Sequence, residues 1–306
     1  MKKFRLLESP PPRIAKSLES FSPLAQKLLF HRAITDAVSA DVFLNPEYER
    51  DTHDPFLIAG MDRAVERILS GIKKNESILI YTDYDHDGIP GGVLLHDFFK
   101  KIGYQNFRNY IPHRYREGYG LNSAAVERFA TEGVTLLITV DCGITDVLPV
   151  EVANKAGIDV IVSDHHLPQE KLPPAFVVLN SKQGHDSYPD SMLCGAAVAF
   201  KLVQGLLRKG AFDVAEGWEK WLLDLVGIST IADMCPLTKE KRVLAHYGLK
   251  VLRKTPRVGL LKLLRRLRID QRYLSEDDVG FMIAPRINAA SRMADPRDAF
   301  ELLSTD

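Results

Sequence analysis

Three aspartates alternate with other residues in the short stretch YTDYDHDG, directly after a run of apolar and aromatic residues. They are Asp83, Asp85 and Asp87, and the preceding ILIY (78–81) has the composition of a buried strand. Carboxylates this close together repel one another unless one stays protonated or a cation lies between them. A single pair of aspartates is more often a cap or a solvated turn, but three of them at the end of a buried strand favour a site for a divalent cation.

Two further clusters of potential ligands also follow short apolar runs. Asp141 comes directly after TLLITV (135–140), and the motif SDHH contains Asp164, His165 and His166. Either cluster alone could be a helix cap or a turn. The carboxyl ends of parallel strands meet at one edge of a sheet, so three clusters at three such ends are expected to form one site. Aspartate and histidine without cysteine suit Mn²⁺, and Mg²⁺ or Zn²⁺ less well, and their number allows the two-ion arrangement used in phosphoester hydrolysis.

The elements that must position these residues follow from the apolar pattern. The predicted strands are 78–81, 107–111, 135–140, 159–163 and 176–179, and the predicted helices between them are 91–103, 121–133 and 144–157. This alternation predicts βαβ units and a parallel β-sheet with helices on both faces, a fold of the α/β class. Helical patterns at 22–34 and 61–74 precede the sheet, with a loop at 44–56 between them, and the chain is predicted to be mainly helical after about residue 192.

Composition limits the class of protein. The 306 residues are 45% hydrophobic and 26% charged, as in ordinary globular proteins. No apolar run approaches the roughly 18 residues of a membrane span, and the N-terminus has no apolar stretch of signal-peptide length. Three scattered cysteines fit a reducing compartment, so we expect a cytoplasmic protein with no membrane partner. Forty basic and 40 acidic residues cancel, which leaves only a local basic groove as a possible attraction for nucleic acid.

The motifs DYDHDG, VDCGI and SDHHLP, in this order, resemble those of the DHH phosphoesterase superfamily. Within it, PHRYREGYGLN, LCGAAVAFKL, LDLVGISTIADMCPL and FMIAPRINAASRM are similar to segments of the RecJ family of single-strand-specific exonucleases. The resemblance extends from about residue 22 to the last residue and implies three segments. These are an N-terminal helical lead-in (1–75), a DHH phosphoesterase domain (76–240) and a helical extension that completes it (241–306). Relatives continue into a second, DHHA1-like domain, which we expect to be absent from this sequence.

The resemblance implies a two-metal phosphodiesterase with in-line attack of water on phosphorus. The implied metal ligands are Asp83, Asp85, Asp87, Asp141, His165 and Asp233, which would hold two Mn²⁺ ions, with Mg²⁺ as the alternative. Asp141 would bridge the ions, and Asp87, His165 and Asp233 would hold the second one. The implied catalytic residues are His165, His166 against the scissile phosphate, and Asp164 as a partner that orients an imidazole. Without the resemblance, Asp233 would be interpreted as a cap in a helix-to-loop turn.

Basic and aromatic residues near these motifs could bind a single-stranded nucleic acid. The candidates after the second predicted strand are His113, Arg114, Arg116 and Tyr119, and the resemblance adds Arg286, Asn288 and Arg292. The basic stretch 250–272 is interpreted equally well as a groove or as a solvated helix face. Two positions depart from the family pattern: His86 stands where small residues are common, and Ser291 stands where the family has glycine.

The resemblance implies a 5′→3′ exonuclease that hydrolyses single-stranded DNA in repair and recombination. A single-strand-binding protein is a further candidate partner. One alternative is a DHH phosphodiesterase that cleaves short oligonucleotides or cyclic dinucleotides. Another is a non-catalytic RecJ-like scaffold, against which the complete set of aspartates argues. The 5′→3′ polarity rests on the resemblance alone.

Overall fold

A five-stranded parallel sheet forms the centre of the protein, whose computed structural model describes residues 6–305. Residues 1–5 and 306, the outer ends of the predicted lead-in and extension, lie outside the described residues. The strands are β1 (Ile78–Thr82), β2 (Phe107–Tyr110), β3 (Leu136–Val140), β4 (Asp159–Ser163) and β5 (Val177–Leu179). They are ordered β2-β1-β3-β4-β5, and every neighbouring pair is parallel. The predicted α/β fold is confirmed, and β3, which precedes Asp141, is the central strand.

Fourteen α-helices accompany the sheet in the described residues. They are α1 (Pro12–Ser17), α2 (Pro23–Phe30), α3 (Ala37–Leu44), α4 (Tyr48–Asp51), α5 (Met61–Lys73), α6 (Gly88–Lys101), α7 (Ser123–Thr131), α8 (Val147–Lys155), α9 (Gly195–Lys209), α10 (Leu223–Ala232), α11 (Lys239–Leu252), α12 (Val258–Leu267), α13 (Ala284–Met293) and α14 (Arg297–Ser304). A π-helical turn (Asp278–Ile283) leads into α13. None of the described helices is long and apolar enough to cross a membrane.

The alternation of side chains along each strand gives the sheet two buried faces. Ile78 and Ile80 belong to the larger apolar core, with side chains of α5, α6, α9, α10 and α11. Leu79 and Tyr81 point the other way and pack against α7 and α8. Helices therefore cover both faces, as the apolar strands predict, and the mainly helical C-terminal part extends the larger core.

The loop predicted at 44–56 is partly wrong, because it contains α4 and a 3₁₀ turn, Pro55–Leu57. The Tyr48 ring of α4 packs edge-on against the Tyr247 ring of α11, with ring centres 5.6 Å apart. Tertiary packing thus stabilises one helical turn in a segment whose own residues favour a loop.

Candidate metal centre and substrate cleft

The aspartate turn, residues 83–87, joins the end of β1 to the start of α6. Oδ1 of Asp85 accepts hydrogen bonds from the backbone N–H groups of Asp87 at 2.8 Å and Gly88 at 3.1 Å, which folds the turn back on itself. A Cβ atom on Gly88 would lie 2.5 Å from the backbone O of Asp83. Only glycine therefore allows the turn to close this tightly.

Asp141 follows β3 in a left-handed backbone conformation, with φ of 62°. Its backbone N–H donates to the carbonyl O of Ser163 at 2.9 Å, which continues the ladder between β3 and β4 by one residue. The left-handed residue then breaks the strand. Its buried carboxylate lies beside the aspartate turn, because β1 and β3 are neighbours in the sheet.

Asp164 follows β4, is buried, and is saturated with hydrogen bonds from the protein itself. Its Oδ2 accepts from the backbone N–H of Ile144 at 2.9 Å, and its Oδ1 accepts from the backbone N–H of His165 at 2.7 Å. Oδ1 also lies 2.8 Å from Nδ1 of His166. Burial works to raise the pKa of Asp164, but the His166 hydrogen bond and charge and the backbone N–H groups outweigh it and lower that pKa. The same contact with Asp164 raises the pKa of His166. Asp164 is thus placed to orient His166.

The six predicted ligands lie in two adjoining groups. One consists of Asp83, Asp85 and Asp141, the other of Asp87, His165 and Asp233, and the ligand atoms within each group are within 4.8 Å of one another. Opposite ligands around an ion bound at about 2.1 Å are about 4.2 Å apart, so each group has a suitable size. A third, overlapping group contains Asp141, His165 and His166.

The two groups meet at His165. Its Nε2 lies 3.1 Å from Oδ1 of Asp141 and 3.5 Å from Oδ2 of Asp87, and its Nδ1 lies 3.8 Å from Oδ2 of Asp233. Asp141 therefore adjoins both groups, which is the position that a bridging carboxylate requires.

The electrostatics of the carboxylates fit a divalent cation. Burial, with the neighbouring charge of Asp85, raises the pKa of Asp83 to about 7. Burial also raises the pKa of Asp87, and burial together with the other aspartates raises the pKa of Asp141 well above its usual value. Oδ1 of Asp83 and Oδ1 of Asp141 are buried and have no hydrogen-bond partner among the described residues. Carboxylate oxygens left unsatisfied in this way, beside the imidazole of His165, suit Mn²⁺ or Mg²⁺.

The N-terminus of α9 supports the site in a way that sequence reasoning missed. Oδ2 of Asp87 accepts the backbone N–H of Gly195 at 2.6 Å, and Oδ1 accepts that of Ala196 at 2.8 Å. A Cβ on Gly195 would lie 2.7 Å from the Cβ of Asp141, so glycine is required for this approach. The glycine in LCGAAV could have indicated a close approach to another segment. Asp141, which it approaches, lies more than 50 residues away along the chain.

Asp233 ends α10, and the structure brings it to His165 although nothing in its local sequence indicates a ligand. Met234, the next residue, has a left-handed φ of 55° and turns the chain away from the helix. Sγ of Cys235 lies 3.5 Å from Oδ2 of Asp233. The helix-to-loop turn therefore exists as expected, and it holds the carboxylate at the site.

The loop after β2 lies beside these groups. The hydroxyl of Tyr119 donates to the backbone O of Asp141 at 3.3 Å and lies 3.2 Å from Nδ1 of His166. Arg114 lies over the ring of Tyr84, in the aspartate turn, with 4.9 Å to the ring centre. His113 accepts the backbone N–H of Tyr115 on Nδ1 at 3.3 Å. Arg116 is exposed and makes no side-chain hydrogen bond or ion pair within the described part of the chain.

The structure brings only part of α13 to the site. Asn288 contacts the backbone N–H and the ring of His86. The backbone O of Arg292 accepts the hydroxyl of Tyr115 at 3.0 Å, so the loop after β2 contacts the end of α13. Arg286 is exposed, and its guanidinium lies 3.3 Å from the backbone O of Phe281 in the preceding turn.

The basic stretch 250–272 is not uniformly available to a ligand. Arg257 is largely buried and forms ion pairs with Asp97 and Asp224, each at 2.7 Å. Its guanidinium also donates to the backbone O of Leu303 at 3.1 Å. Arg257 therefore fastens α6, α10 and α14 together, and its side chain has a structural role.

Known proteins resemble this chain in both sequence and structure. The model of the DHH family, N-terminal domain, matches residues 77–230. The single-stranded-DNA-specific exonuclease RecJ of Bacillus subtilis is 40% identical over 286 residues, which are 93% of this chain and 35% of that protein. This chain thus spans about a third of the length of that relative.

Two solved structures share the fold. A crystal structure of the exonuclease RecJ bound to manganese superposes with a TM-score of 0.73 at 32% identity, over 81% of this chain and 61% of that one. A crystal structure of RecJ from Thermus thermophilus in complex with Mn²⁺ has a TM-score of 0.80 at 29% identity, over 98% of this chain and 42% of that one.

Proposed function

This chain belongs to the DHH family, and on that basis we propose that it is a metal-dependent phosphodiesterase, specifically a 5′→3′ exonuclease that hydrolyses single-stranded DNA. The observation that carries the proposal is the meeting of two carboxylate-rich groups at His165, with buried oxygens that have no other partner among the described residues. The substrate class comes from the RecJ relatives, which are single-stranded-DNA-specific exonucleases. We propose that the DHH domain spans residues 76–240 and that residues 241–306 complete it.

Two Mn²⁺ ions, with Mg²⁺ as the alternative, would when bound lower the pKa of a water molecule and neutralise charge developing on the phosphodiester. Asp83, Asp85 and Asp141 are the proposed ligands of one ion, and Asp87, His165 and Asp233 those of the other. Asp141 is the proposed bridge, because its Oδ1 lies 3.1 Å from Nε2 of His165 in the second group.

His166 is the proposed donor to the scissile phosphate. Its Nδ1 faces Asp164 at 2.8 Å, and this contact raises the pKa of His166, which favours the doubly protonated ring. The half-exposed ring can therefore donate a second N–H, from Nε2, to a phosphate or to the leaving oxygen. Tyr119, 3.2 Å from Nδ1, helps to orient this imidazole.

Single-stranded DNA is the proposed substrate and a single-strand-binding protein a proposed partner. Arg114 and Arg292 are the proposed phosphate contacts beside the aspartate turn, with His113, Arg116, Arg286 and Asn288 as further contacts in the same two segments. Tyr115 and Tyr119 are exposed in the loop after β2 and offer faces on which bases can stack. The cytoplasm is the proposed location, in keeping with three cysteines that are all free.

The test compares a long 5′-phosphorylated single strand with the matching duplex, a dinucleotide and a cyclic dinucleotide. With Mn²⁺ we expect rapid loss of the long single strand, little loss of the duplex, and none after chelation. Strands labelled at the 5′ or the 3′ end report the direction of digestion. Turnover of only the small substrates would instead assign a small-substrate phosphodiesterase, and turnover of none would assign a scaffold.

A further inference from the structure

His86 lies between two proposed metal ligands, Asp85 and Asp87, yet the proposed reaction gives it no role. Its backbone N–H donates to Oδ1 of Asn288 in α13 at 2.9 Å. Its backbone O accepts a hydrogen bond from the hydroxyl of Ser229 in α10 at 3.2 Å. The main chain of His86 therefore joins the aspartate turn to both helices.

The ring of His86 contacts the same amide. Its Nδ1 lies 2.8 Å from Nδ2 and 3.1 Å from Oδ1 of Asn288. Unprotonated Nδ1 accepts from Nδ2, and protonated Nδ1 donates to Oδ1, whose second lone pair is free, so either tautomer of the ring bonds the same amide. Nε2 is buried and has no hydrogen-bond partner among the described residues. The hydrogen bonding of this ring is therefore directed at Asn288.

Ser291 lies one helical turn after Asn288 in α13. Its side chain is buried in α13, and its hydroxyl donates to the backbone O of Asn288 at 3.1 Å. A glycine or alanine at position 291 would lack this bond. The side-chain amide of Asn288 thus bonds to His86 in the aspartate turn, and its backbone O bonds to Ser291 within α13.

We infer that His86 forms a latch on Asn288 that fixes α13 against the aspartate turn, and that Ser291 supports the helical turn that carries Asn288. His86 is then a positioning residue for the substrate, which acts through Asn288 and Arg292 and does not bind metal. The inference rests on the proposed function, because it assigns α13 to the phosphate backbone of a nucleic acid. Loss of the latch should weaken substrate binding while the metal ligands stay in place.

The kinetic test uses two substitutions at one position. His86→Ala removes the ring contact and keeps the backbone contact, whereas His86→Asn restores a polar atom near the place of Nδ1. We expect His86→Ala to raise the KM for single-stranded DNA about 3- to 10-fold, the size expected for one hydrogen bond. The kcat and the Mn²⁺ concentration for half-maximal activity should change less than about 2-fold. Recovery in His86→Asn would support the latch, whereas an altered Mn²⁺ requirement would indicate a purely local role in the turn and overturn it.

A second pair of substitutions tests whether both contacts act on Asn288. Ser291→Ala should raise KM as well, and the double variant His86→Ala/Ser291→Ala should be less impaired than the product of the two single effects. Strictly multiplicative effects would show that His86 and Ser291 act independently, which contradicts a shared latch.

Amide hydrogen exchange tests the latch independently of nuclease activity. In His86→Ala, we expect the amides of residues 284–293 to exchange about 3- to 10-fold faster, in line with the loss of one hydrogen bond. His96→Ala is the matched control, because Nδ1 of His96 makes a similar contact with Oδ1 of Asn109 at 2.8 Å, between α6 and β2. That variant should leave exchange in α13 unchanged. Unaltered exchange in His86→Ala would refute the latch whether or not the protein degrades DNA. If His86→Ala exchanges faster but the wild-type protein does not degrade DNA, only the proposed function is refuted.

Discussion

Asp141 combines the features expected of a metal ligand in one side chain. It has a left-handed backbone, a conformation that costs most residues other than glycine about 1–2 kcal/mol, although aspartate tolerates it better. Its carboxylate is buried, and Oδ1 has no hydrogen-bond partner in the described residues. Burial and the surrounding aspartates raise its pKa well above the usual value. In the metal-free protein its charge is therefore destabilising.

The substitution Asp141→Asn distinguishes the destabilising effect of the Asp141 charge from the proposed role of Asp141 as a metal ligand. Because folding raises the pKa of this carboxyl, we expect the metal-free variant to have a higher free energy of unfolding than the wild type at pH 8, where the wild-type carboxyl is under pressure to ionise. Nuclease activity and Mn²⁺ affinity should fall by more than about 100-fold, because a bridging ligand is lost. Calorimetry and Mn²⁺ titration measure both effects. The exposed Asp213, substituted to Asn, is the control, and equal Mn²⁺ affinity in the two variants would rule out the proposed centre.

At the scale of elements, the site depends on how closely α9 approaches the strand ends. Two backbone N–H groups at its N-terminus hydrogen-bond Asp87, and their partial positive charge favours the ionised carboxylate. The approach requires glycine at position 195, because a Cβ there would lie 2.7 Å from Oδ1 of Asp141. The N-terminus of α9 thus orients Asp87 and packs against Asp141.

We expect Gly195→Ala to cost about 1–3 kcal/mol of stability, since the added methyl group overpacks a rigid contact with Asp141. The Mn²⁺ affinity should also fall, because α9 must move away from Asp87. Thermal unfolding with and without Mn²⁺ measures the two effects. Gly280→Ala provides a helical control, because a Cβ at Gly280 would have no neighbour within 4 Å. A Gly195→Ala protein with the stability and Mn²⁺ affinity of the control would contradict this packing.

At the scale of the whole molecule, the carboxylate cluster links stability to pH and to metal. The pKa of Asp83 rises from 3.8 to about 7 on folding, and those of Asp87 and Asp141 also rise. The folded protein therefore binds more protons than the unfolded chain in this range, so its stability decreases as pH rises. The raised pKa of His166 acts in the same direction. Cations that bind the ionised carboxylates oppose this loss.

For the metal-free protein we expect the melting temperature to fall by at least about 5 °C between pH 5 and pH 8. Saturating Mn²⁺ should reduce or reverse this fall, because it binds only the folded, deprotonated cluster. Scanning calorimetry of the metal-stripped protein across this pH range, with and without added Mn²⁺, gives the change of melting temperature with pH in each case. Asp141→Asn should show a shallower fall without metal, and identical slopes with and without Mn²⁺ would count against a metal centre at these residues.

The sequence by itself determined the parallel sheet and the edge of the sheet at which the proposed metal ligands lie. Five apolar runs form the five strands, and the aspartates that follow β1 and β3 adjoin because neighbouring parallel strands end at one edge. Strand formation and the direction of a parallel sheet depend on local patterns, which a single sequence displays. The proposed roles of these residues remain predictions, although the structure places all six proposed ligands together.

Only the tertiary structure decided which distant residues join that edge. Asp233 looked like a cap until the packing of α10 brought it to His165. Arg257 was interpreted equally well as part of a basic groove or of a solvated helix face, whereas the structure pairs it with Asp97 and Asp224. His86 fitted no role until α13 placed Asn288 against it. These contacts depend on how the C-terminal helices pack on one face of the sheet, and residues far apart in sequence carry no local signal of such neighbours.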